Sequence, residues 1–202
     1  MKVVACTGGI GSGKTFVANI FSKLGIPVYY SDERTKQLYL TSRKLLKQLC
    51  EILGEEIVVK GVLQKQIMAS KIFSSGELMA KVEAIVHPAV LEDFLGWKEN
   101  IEKKQSDNLP PFVLFESAII LEKPLVRSVA DKVITVSAPI EMRVERVIKR
   151  DGVTREQVEA RLQAQWSDQQ RHALSDFIIF ADNKKALLPQ VLDIIEAVEK
   201  LF

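Results

Sequence analysis

Apolar residues in this chain occur in short runs and at helical spacing, and the two patterns alternate. Five runs have the length and the β-branched or aromatic content of buried strands. They comprise residues 2–6, 26–30, 112–116, 132–136 and 177–180. Helical patterns lie between them, as in Val17, Ile20, Phe21 and Leu24, which recur at i, i+3, i+4 and i+7. The alternation predicts an α/β protein of three layers, with a mostly parallel, doubly wound sheet between helices.

Two helical stretches are longer than the connections of such a sheet require. Roughly 80 residues separate the second and third strand runs and look almost wholly helical. A second helical stretch, at about 140–174, contains many of the arginines. We predict one domain, with a core at about 1–31, 111–139 and 175–202, a helical insertion at about 32–110 and a helical lid at about 140–174. Residues 103–108 predict a surface loop.

Charge and cysteine content limit the possible partners. The chain has 28 basic and 26 acidic residues, so it lacks the overall positive field that nucleic-acid binding uses. No run of 18 apolar residues indicates a membrane span. Two cysteines without a pairing pattern are typical of a reducing compartment. We therefore expect a cytoplasmic protein that binds neither nucleic acid nor membrane, and no protein partner is evident.

A glycine-rich segment between the first strand and the first helix carries the clearest chemistry. Residues 8–15 read GGIGSGKT and fit the phosphate-binding pattern G-x-x-x-x-G-K-[ST]. Glycines let backbone N–H groups approach a phosphate, Lys14 would reach the β and γ oxygens, and the Thr15 hydroxyl would hold Mg²⁺. A glycine turn without a ligand would need neither side chain. The segment predicts a nucleotide-binding P-loop.

Three carboxylates lie near predicted strand ends. Asp32 follows the second strand at its carboxyl end, where ligands bind in open α/β sheets. It would take a proton from an acceptor hydroxyl, or would only cap the next helix. Glu116 ends the third strand and either positions Mg²⁺ through water or is an ordinary strand-end carboxylate. Glu122 either lines the substrate side or is exposed.

Basic residues cluster on one predicted helix face. Arg143, Arg146 and Arg150 stand at i, i+3 and i+7, and like charges at this spacing repel unless an anion neutralises them. A solvated, charged helix pair is the alternative. We favour a phosphate role for Arg146 and Arg150. His87 precedes Pro88, and a structural role is the default because the chain has too few histidines for a metal cluster.

Together these motifs resemble the dephospho-CoA kinase family along nearly the whole chain. The opening TGGIGSGK, residues 7–14, is similar to that family's P-loop, and EAIVHP, residues 83–88, is similar to its E-x-I-x-H-P segment. Asp32 falls where the family has its catalytic aspartate. Residues 146–152 resemble its lid arginines, and residues 161–165 match the R-x-x-x-Q that follows.

The resemblance implies a P-loop kinase that uses ATP and Mg²⁺ to phosphorylate the 3′-hydroxyl of dephospho-CoA, the last step of CoA biosynthesis. Asp32 would be the base, and Lys14 and Arg146 would stabilise the transferring phosphoryl group. The implied ATP-binding residues are Gly9, Ile10, Gly11, Ser12, Gly13, Lys14, Thr15, Phe16, Arg146 and Arg150. The implied substrate-binding residues are Asp32, His87, Glu116, Glu122 and Arg161. Thr15 would hold Mg²⁺, with Asp32 or Glu116 acting through water.

The chain departs from the family pattern in three places. Phe16 stands where a second hydroxyl residue is usual, residues 117–122 differ after the third strand, and Ala181 stands near the place of an asparagine.

Two other classes of protein share the P-loop. A GTP switch would need a guanine-reading N-K-x-D, but residues 183–186 end in alanine, and the D-x-x-G at 93–96 lies in a helical run. Nucleoside monophosphate kinases and shikimate kinases share the fold and the size, so other small-metabolite acceptors stay open.

Overall fold

The computed structural model describes residues 1–73, 75–104 and 109–201. Within these residues five parallel strands form one sheet, in the order β2-β5-β1-β6-β7, and a two-stranded hairpin pairs separately. The strands are β1 (Lys2–Thr7), β2 (Val28–Tyr30), β3 (Val58–Val59), β4 (Val62–Leu63), β5 (Phe112–Glu116), β6 (Lys132–Ser137) and β7 (Phe177–Phe180). The predicted parallel α/β sheet is confirmed.

Tertiary contacts divide the chain into two compact units, Met1–Tyr30 with Ile101–Phe202, and Ser31–Asn100. The first unit holds the large sheet and the second holds the hairpin. Helices of the first unit are α1 (Lys14–Lys23), α6 (Pro124–Arg127), α7 (Ile140–Asp151), α8 (Arg155–Gln163), α9 (Asp168–Ala173) and α10 (Leu187–Leu201). Helices of the second are α2 (Ser31–Thr41), α3 (Arg43–Leu53), a 3₁₀ turn (Glu55–Ile57), α4 (Lys65–Phe73) and most of α5 (Gly76–Lys104).

The core of the first unit explains why these elements form. The apolar runs of β1, β5 and β6 are buried on both faces, as parallel strands between helices are. Helix α1 buries Val17, Ala18 and Phe21, and α10 buries Val191 and Ile194, all in one cluster with the sheet. This burial is the main stabilisation of the unit, at about 25 cal/mol per Å² of apolar surface.

The sheet topology determines where a ligand can bind. Strand β1 lies at the centre, with β5 on one side and β6 on the other, and Cys6 is in register with Glu116. The chain order therefore changes direction at β1. In open α/β sheets the ligand crevice lies beyond the carboxyl ends of the strands at such a switch point. The P-loop leaves β1 at that end.

The stretch predicted as helical at 140–174 consists of α7, α8 and α9. Thr154 and Ser167 cap α8 and α9, and each forms a capping box with the glutamine three residues later. Gly152, with a φ of +66°, follows the end of α7. These local signals explain why the stretch breaks into three helices.

The second unit corrects one expectation. Residues 58–63, inside the stretch expected to be almost wholly helical, form the β3–β4 hairpin instead. Its two turn residues, Lys60 and Gly61, have φ of +51° and +78°, which is the turn type that suits a two-residue hairpin. Elsewhere the unit is helical. Arg34 of α2 forms a bidentate ion pair with Asp93 of α5, with N–O distances of 2.8 and 2.6 Å.

Two further sequence expectations concern surface segments. The predicted loop at 103–108 begins inside α5, and its residues 105–108 lie outside the described residues. In the described part of the chain, none of the helices has both the length and the apolar character needed to cross a membrane.

Candidate active site

The P-loop connects β1 to α1 and folds back on itself. The Ser12 N–H donates to the Gly9 carbonyl at 3.1 Å, and the Val17 N–H donates to the Gly13 carbonyl at 3.0 Å as α1 begins. The loop thus ends at the N-terminus of a ten-residue helix, where free N–H groups and the helix dipole attract anions. The Ser12 side chain is buried and its N–H bonds to Gly9, so this residue shapes the loop from within.

Glycine is required where the loop meets α7. A Cβ on Gly9 would lie 2.0 Å from Arg143 Nη2, and a Cβ on Gly11 would lie 2.5 Å from the Arg143 carbonyl oxygen. Gly11 also has a φ of +76°, a conformation that residues with a Cβ rarely adopt. The glycines therefore serve the packing of the loop against α7 as well as the approach of a phosphate.

Lys14 and Thr15 converge on the carboxylate of Glu116. The Thr15 hydroxyl donates to Glu116 Oε1 at 3.3 Å, and Lys14 Nζ lies 3.8 Å from the same oxygen. Glu116 ends β5 and is buried. Burial, reinforced by the Glu116 charge, raises the pKa of the neighbouring Cys6 thiol, so this cysteine is a neutral packing residue beneath the loop.

The donor atoms at this point suit Mg²⁺. Thr15 and Glu116 provide a hydroxyl and a carboxylate within hydrogen-bond distance, and Mg²⁺ prefers such oxygen ligands, usually one or two from protein and the rest from phosphate and water. In residues 1–73, 75–104 and 109–201, no group of three or more His, Cys, Asp or Glu side chains could hold a metal. A site completed by a nucleotide's phosphates fits the residues present.

Arg146 of α7 reaches across the loop to the end of the sheet. Its Nη1 lies 3.4 and 3.3 Å from the carbonyl oxygens of Gly11 and Ser12, and its Nη2 donates to the Ala181 carbonyl at 3.0 Å. Ala181 directly follows β7. Arg146 therefore places a permanent positive charge against the P-loop, and joins it to the segment after the last strand.

A cavity of about 140 Å³ lies between the P-loop and α7. Its lining combines loop residues with positive side chains from the helix. The lining residues are Gly11, Gly13, Lys14, Thr15, Phe16, Arg146, Val147 and Arg150. All except Val147 are among the predicted ATP-binding residues, so the structure brings this part of the predicted site together. Phe16 contributes a side chain that is 64% exposed.

Arg150 and Arg161 share one partner at the edge of that cavity. Both guanidinium groups bond to Asp151, Arg150 at 2.7 and 3.0 Å and Arg161 at 3.3 Å. The hydrogen bonds that Arg150 donates to Asp151 raise the pKa of Arg150 and lower that of Asp151. The two arginines lie on the surface of α7 and α8, and their charges are partly neutralised by this carboxylate.

Glu122 lies in a different environment from the P-loop carboxylate. Its Oε1 accepts from Arg171 Nη2 at 3.0 Å and from the Trp166 N–H at 3.4 Å. The Arg171 side chain is 1% exposed and that of Glu122 is 19% exposed, so this partly buried ion pair connects the segment before α9 to the turn after β5.

Asp32 and His87 belong to the second unit. Asp32 lies in the first turn of α2, two residues beyond the end of β2, and is exposed. His87 is half-buried within α5, next to the internal Pro88. The roles of Asp32 as the base and of His87 as a substrate contact stay predictions.

Sequence reasoning missed the contacts of Ile10. Its N–H donates to Gln165 Oε1 at 2.8 Å, and its carbonyl accepts from Arg143 Nε at 2.9 Å. Arg143 bonds in turn to Asp168. The helical spacing grouped Arg143 with the phosphate-facing arginines, but its guanidinium is buried against the loop. The R-x-x-x-Q spacing was the one signal that pointed to Gln165.

The sequence of this chain is similar to a known protein family and to several of its members. The family model described as dephospho-CoA kinase matches residues 2–187. A dephospho-CoA kinase of Bacteroides fragilis is 37% identical over 192 residues, which are 95% of this chain and 90% of that protein. One of Porphyromonas gingivalis is 38% identical over 199 residues, 98% of this chain and 95% of that protein.

Solved structures agree with the fold. A Thermus thermophilus protein superposes with a TM-score of 0.80 at 28% identity, over all of this chain and 97% of that one. A Campylobacter jejuni dephospho-CoA kinase gives 0.68 at 22% identity, over 99% and 98% of the two chains. An Acinetobacter baumannii shikimate kinase gives 0.53 at 15% identity, over 100% and 94%, and shares the fold alone.

Proposed function

The chain belongs to the dephospho-CoA kinase family, and from this premise we propose that it transfers the γ-phosphoryl group of ATP to the 3′-hydroxyl of dephospho-CoA. The observation that carries the proposal is the family match over residues 2–187. The convergence of Lys14 and Thr15 on Glu116 supports it, because a kinase needs a phosphate cradle with a metal-binding oxygen pair beside it.

ATP would bind with its phosphates along the P-loop and the start of α1. Backbone N–H groups of Gly11 and of residues 13–15 would bind the phosphate oxygens, and Lys14 would lie against the β and γ groups. Arg146 would act from α7, since it lines the same cavity as Lys14. Together the two cations would stabilise the charge that builds on the transferring phosphoryl group.

Thr15 and Glu116 would hold Mg²⁺, Thr15 directly and Glu116 through water. The ion would supply charge neutralisation on the β and γ oxygens. The hydrogen bond between the two side chains keeps both oxygens at one point of the cradle. Asp32 is the alternative to Glu116 in this role.

Asp32 would act as the general base. In the reaction the acceptor's 3′-oxygen attacks the γ-phosphorus in line, the bond from the γ-phosphorus to the β,γ-bridging oxygen breaks, and ADP leaves. The proton of the 3′-hydroxyl passes to the Asp32 carboxylate. The position of Asp32 in the first turn of α2, directly after β2, supports this role, because acceptors bind beyond the strand ends.

We propose contacts from His87 and Arg161 to the acceptor, and an electrostatic contribution from Glu116 and Glu122 at its edge. Glu122 would act mainly by holding Arg171 and Trp166 in place. The two free, buried thiols support a cytoplasmic setting, since disulfides are rare there.

A coupled ADP-release assay with ATP and Mg²⁺ tests the proposal. Dephospho-CoA should stimulate ADP release and yield CoA, whereas AMP, thymidylate and shikimate should leave the rate at the level without acceptor. Stimulation by one of those three acceptors alone would replace the proposed substrate. Equal, slow release with every acceptor would indicate a simple nucleotide hydrolase.

The base is tested with a matched pair of neighbouring carboxylates. Asp32→Asn should lower kcat by about 10²–10⁴-fold, the usual contribution of a general base, while MgATP binding is unchanged. Glu33→Gln removes the next, equally exposed carboxylate of α2 and should leave kcat unchanged. Near-normal turnover of Asp32→Asn would remove Asp32 from the mechanism.

A further inference from the structure

Both backbone polar groups of Ile10, at the tip of the P-loop, bond to side chains from the helical stretch 140–174. The N–H donates to Gln165 Oε1 at 2.8 Å, and the carbonyl accepts from Arg143 Nε at 2.9 Å. These donors and acceptors lie 155 and 133 residues from Ile10 in sequence. The loop is therefore anchored at one residue by two different elements, α7 and the segment between α8 and α9.

Arg143 is itself fixed in place. The residue is 4% exposed, and its Nη1 bonds to both carboxylate oxygens of Asp168, at 3.0 and 3.1 Å. Asp168 Oδ1 also lies 3.6 Å from Nη1 of the buried Arg171. Burial lowers the pKa of Arg143, and the Asp168 charge opposes that effect. Two buried cations thus share one carboxylate, and the guanidinium of Arg143 has little freedom to leave Gly9.

A glycine-rich loop has many conformations, and only some present their N–H groups to a phosphate. Ordering such a loop when a ligand binds reduces the affinity, whereas a loop that is already ordered avoids this loss. Ile10 lies between Gly9 and Gly11, so two bonds at Ile10 restrain the dihedral angles on both sides of it. The loop then has the phosphate-binding shape before the nucleotide arrives.

We propose that Gln165, Arg143 and Asp168 are positioning residues that hold the P-loop in its phosphate-binding shape through Ile10. They act on nucleotide affinity and do not contact the reacting atoms. The proposal rests on the proposed function only in taking the P-loop as the nucleotide site. It assigns the segment 140–174 a second task, because this segment brings Arg146 to the phosphates and also orders the loop that binds them.

The first test compares two glutamines of the same segment. Gln165→Met keeps the length of the side chain but removes the acceptor, and should weaken MgADP binding about tenfold, as expected for one lost hydrogen bond. Gln163→Met is the control, because Gln163 is exposed and lines the same surface cavity beside Trp166. It should leave the affinity unchanged. Calorimetric titration of the full chain with MgADP gives both values.

A conservative variant separates positioning from folding. Gln165→Glu retains an acceptor oxygen at the same distance but adds a negative charge beside the phosphate site, so the variants are compared in a high-salt buffer that screens this charge. Under these conditions Gln165→Glu should bind MgADP within a few-fold of the wild type. Thermal unfolding of Gln165→Met and Gln163→Met should give similar midpoints. Wild-type affinity in Gln165→Met, or equal losses in Gln165→Met and Gln165→Glu, would overturn the proposal.

A double variant tests whether the two anchors act on the same residue. Arg143→Lys keeps a positive charge but loses the fork that bonds to Ile10 and Asp168 together. If both anchors act through Ile10, the combined loss in Arg143→Lys with Gln165→Met should be smaller than the product of the single losses. A full product would mean that they act on separate parts of the loop, which contradicts the proposal.

Binding of MgADP requires no acceptor, so this test is independent of the acceptor assignment. A chain that binds MgADP in a Gln165-dependent way but does not phosphorylate dephospho-CoA would refute the proposed acceptor and support the positioning role. If the wild type makes CoA but Gln165→Met binds MgADP as tightly as the wild type, the proposed acceptor is supported and the positioning role is refuted.

Discussion

Replacement of Gly11 by alanine should destabilise the protein strongly, because the added methyl group would meet backbone atoms and the residue has a positive φ. The added Cβ would lie 2.5 Å from the Arg143 carbonyl oxygen and 2.9 Å from its Cα. These are backbone atoms of α7, so no side-chain rotation relieves the clash. The φ of +76° adds a second cost, since residues with a Cβ disfavour that region.

The expected size follows from these two terms. The left-handed conformation costs roughly 1–2 kcal/mol for a residue with a Cβ, and overpacking costs about 1–3 kcal/mol. Gly11→Ala should therefore lower the free energy of unfolding by about 2–5 kcal/mol, a large part of the ~5–15 kcal/mol of a typical domain. Urea unfolding followed by far-ultraviolet circular dichroism measures the change.

Two other glycines allow the conformational cost and the packing cost to be measured separately. Gly152 has a φ of +66° but open space around its added Cβ, so Gly152→Ala should show the conformational cost alone, about 1–2 kcal/mol. Gly96 lies in α5 with neither constraint, and Gly96→Ala should be neutral or stabilising by up to ~1 kcal/mol. If Gly11→Ala lost no more stability than Gly152→Ala, the close packing of the loop on α7 would be refuted.

Three further predictions concern single side chains. Thr15→Val should lower Mg²⁺-dependent turnover at least tenfold, while Thr15→Ser retains most of it; the coupled ADP-release assay decides, and equal rates would remove the hydroxyl from the metal site. Arg171→Met should lower the free energy of unfolding, measured by urea titration, by about 2–3 kcal/mol, because Glu122, whose side chain is 19% exposed, loses its charge-assisted hydrogen bond to the buried guanidinium; an unchanged midpoint would show that this pair is not stabilising. Burial disfavours the charged form of Asp176, but bonds from Lys132 and a backbone N–H outweigh it and hold the pKa below the ordinary 3.8, so the carboxylate stabilises the fold above that pH and the benefit is lost as the pH falls through the lowered pKa. Asp176→Asn should therefore lower the urea midpoint at neutral pH, and the difference in midpoint from the wild type should narrow below pH 3.8. A difference that does not change with pH would contradict a lowered pKa for Asp176.

The sequence predicted the sheet well because its central strands, β1, β5 and β6, are buried on both faces. The apolar run 112–116 coincides with β5, and the run 177–180 coincides with the less buried edge strand β7. Such runs have few alternatives, since an uninterrupted apolar stretch bounded by turn residues has to be covered on each side. The helix indicated by the spacing of Val17, Ile20 and Phe21 is likewise present as α1.

The β3–β4 hairpin was missed although it leaves a local signal. Residues 58–63 read VVKGVL, two short β-branched or apolar pairs around a Lys-Gly turn. Two-residue strands are too short for their period to stand out between helices. Turn chemistry would have been the better indicator here than hydrophobic pattern.

The environment of Arg143 could not be predicted from the sequence. Helical spacing relates it to Arg146 and Arg150, which is correct as local geometry, but its side chain bonds to Asp168 and to Ile10. Neither partner lies on α7. Which face of a charged helix turns inward depends on tertiary packing, and a local repeat carries no information about it.

Trp166 offers an optical consequence of the network around the P-loop. Its backbone N–H donates to Glu122, and its backbone carbonyl accepts from Arg171. Trp166 directly follows Gln165 in the sequence. The other tryptophan, Trp97, stacks on Phe94 in the second unit. In a Trp97→Phe protein, the fluorescence of the remaining indole would report on the backbone beside Gln165. Emission intensity recorded during stopped-flow mixing with nucleotide would then follow the local environment of the P-loop anchor in real time, without an attached dye.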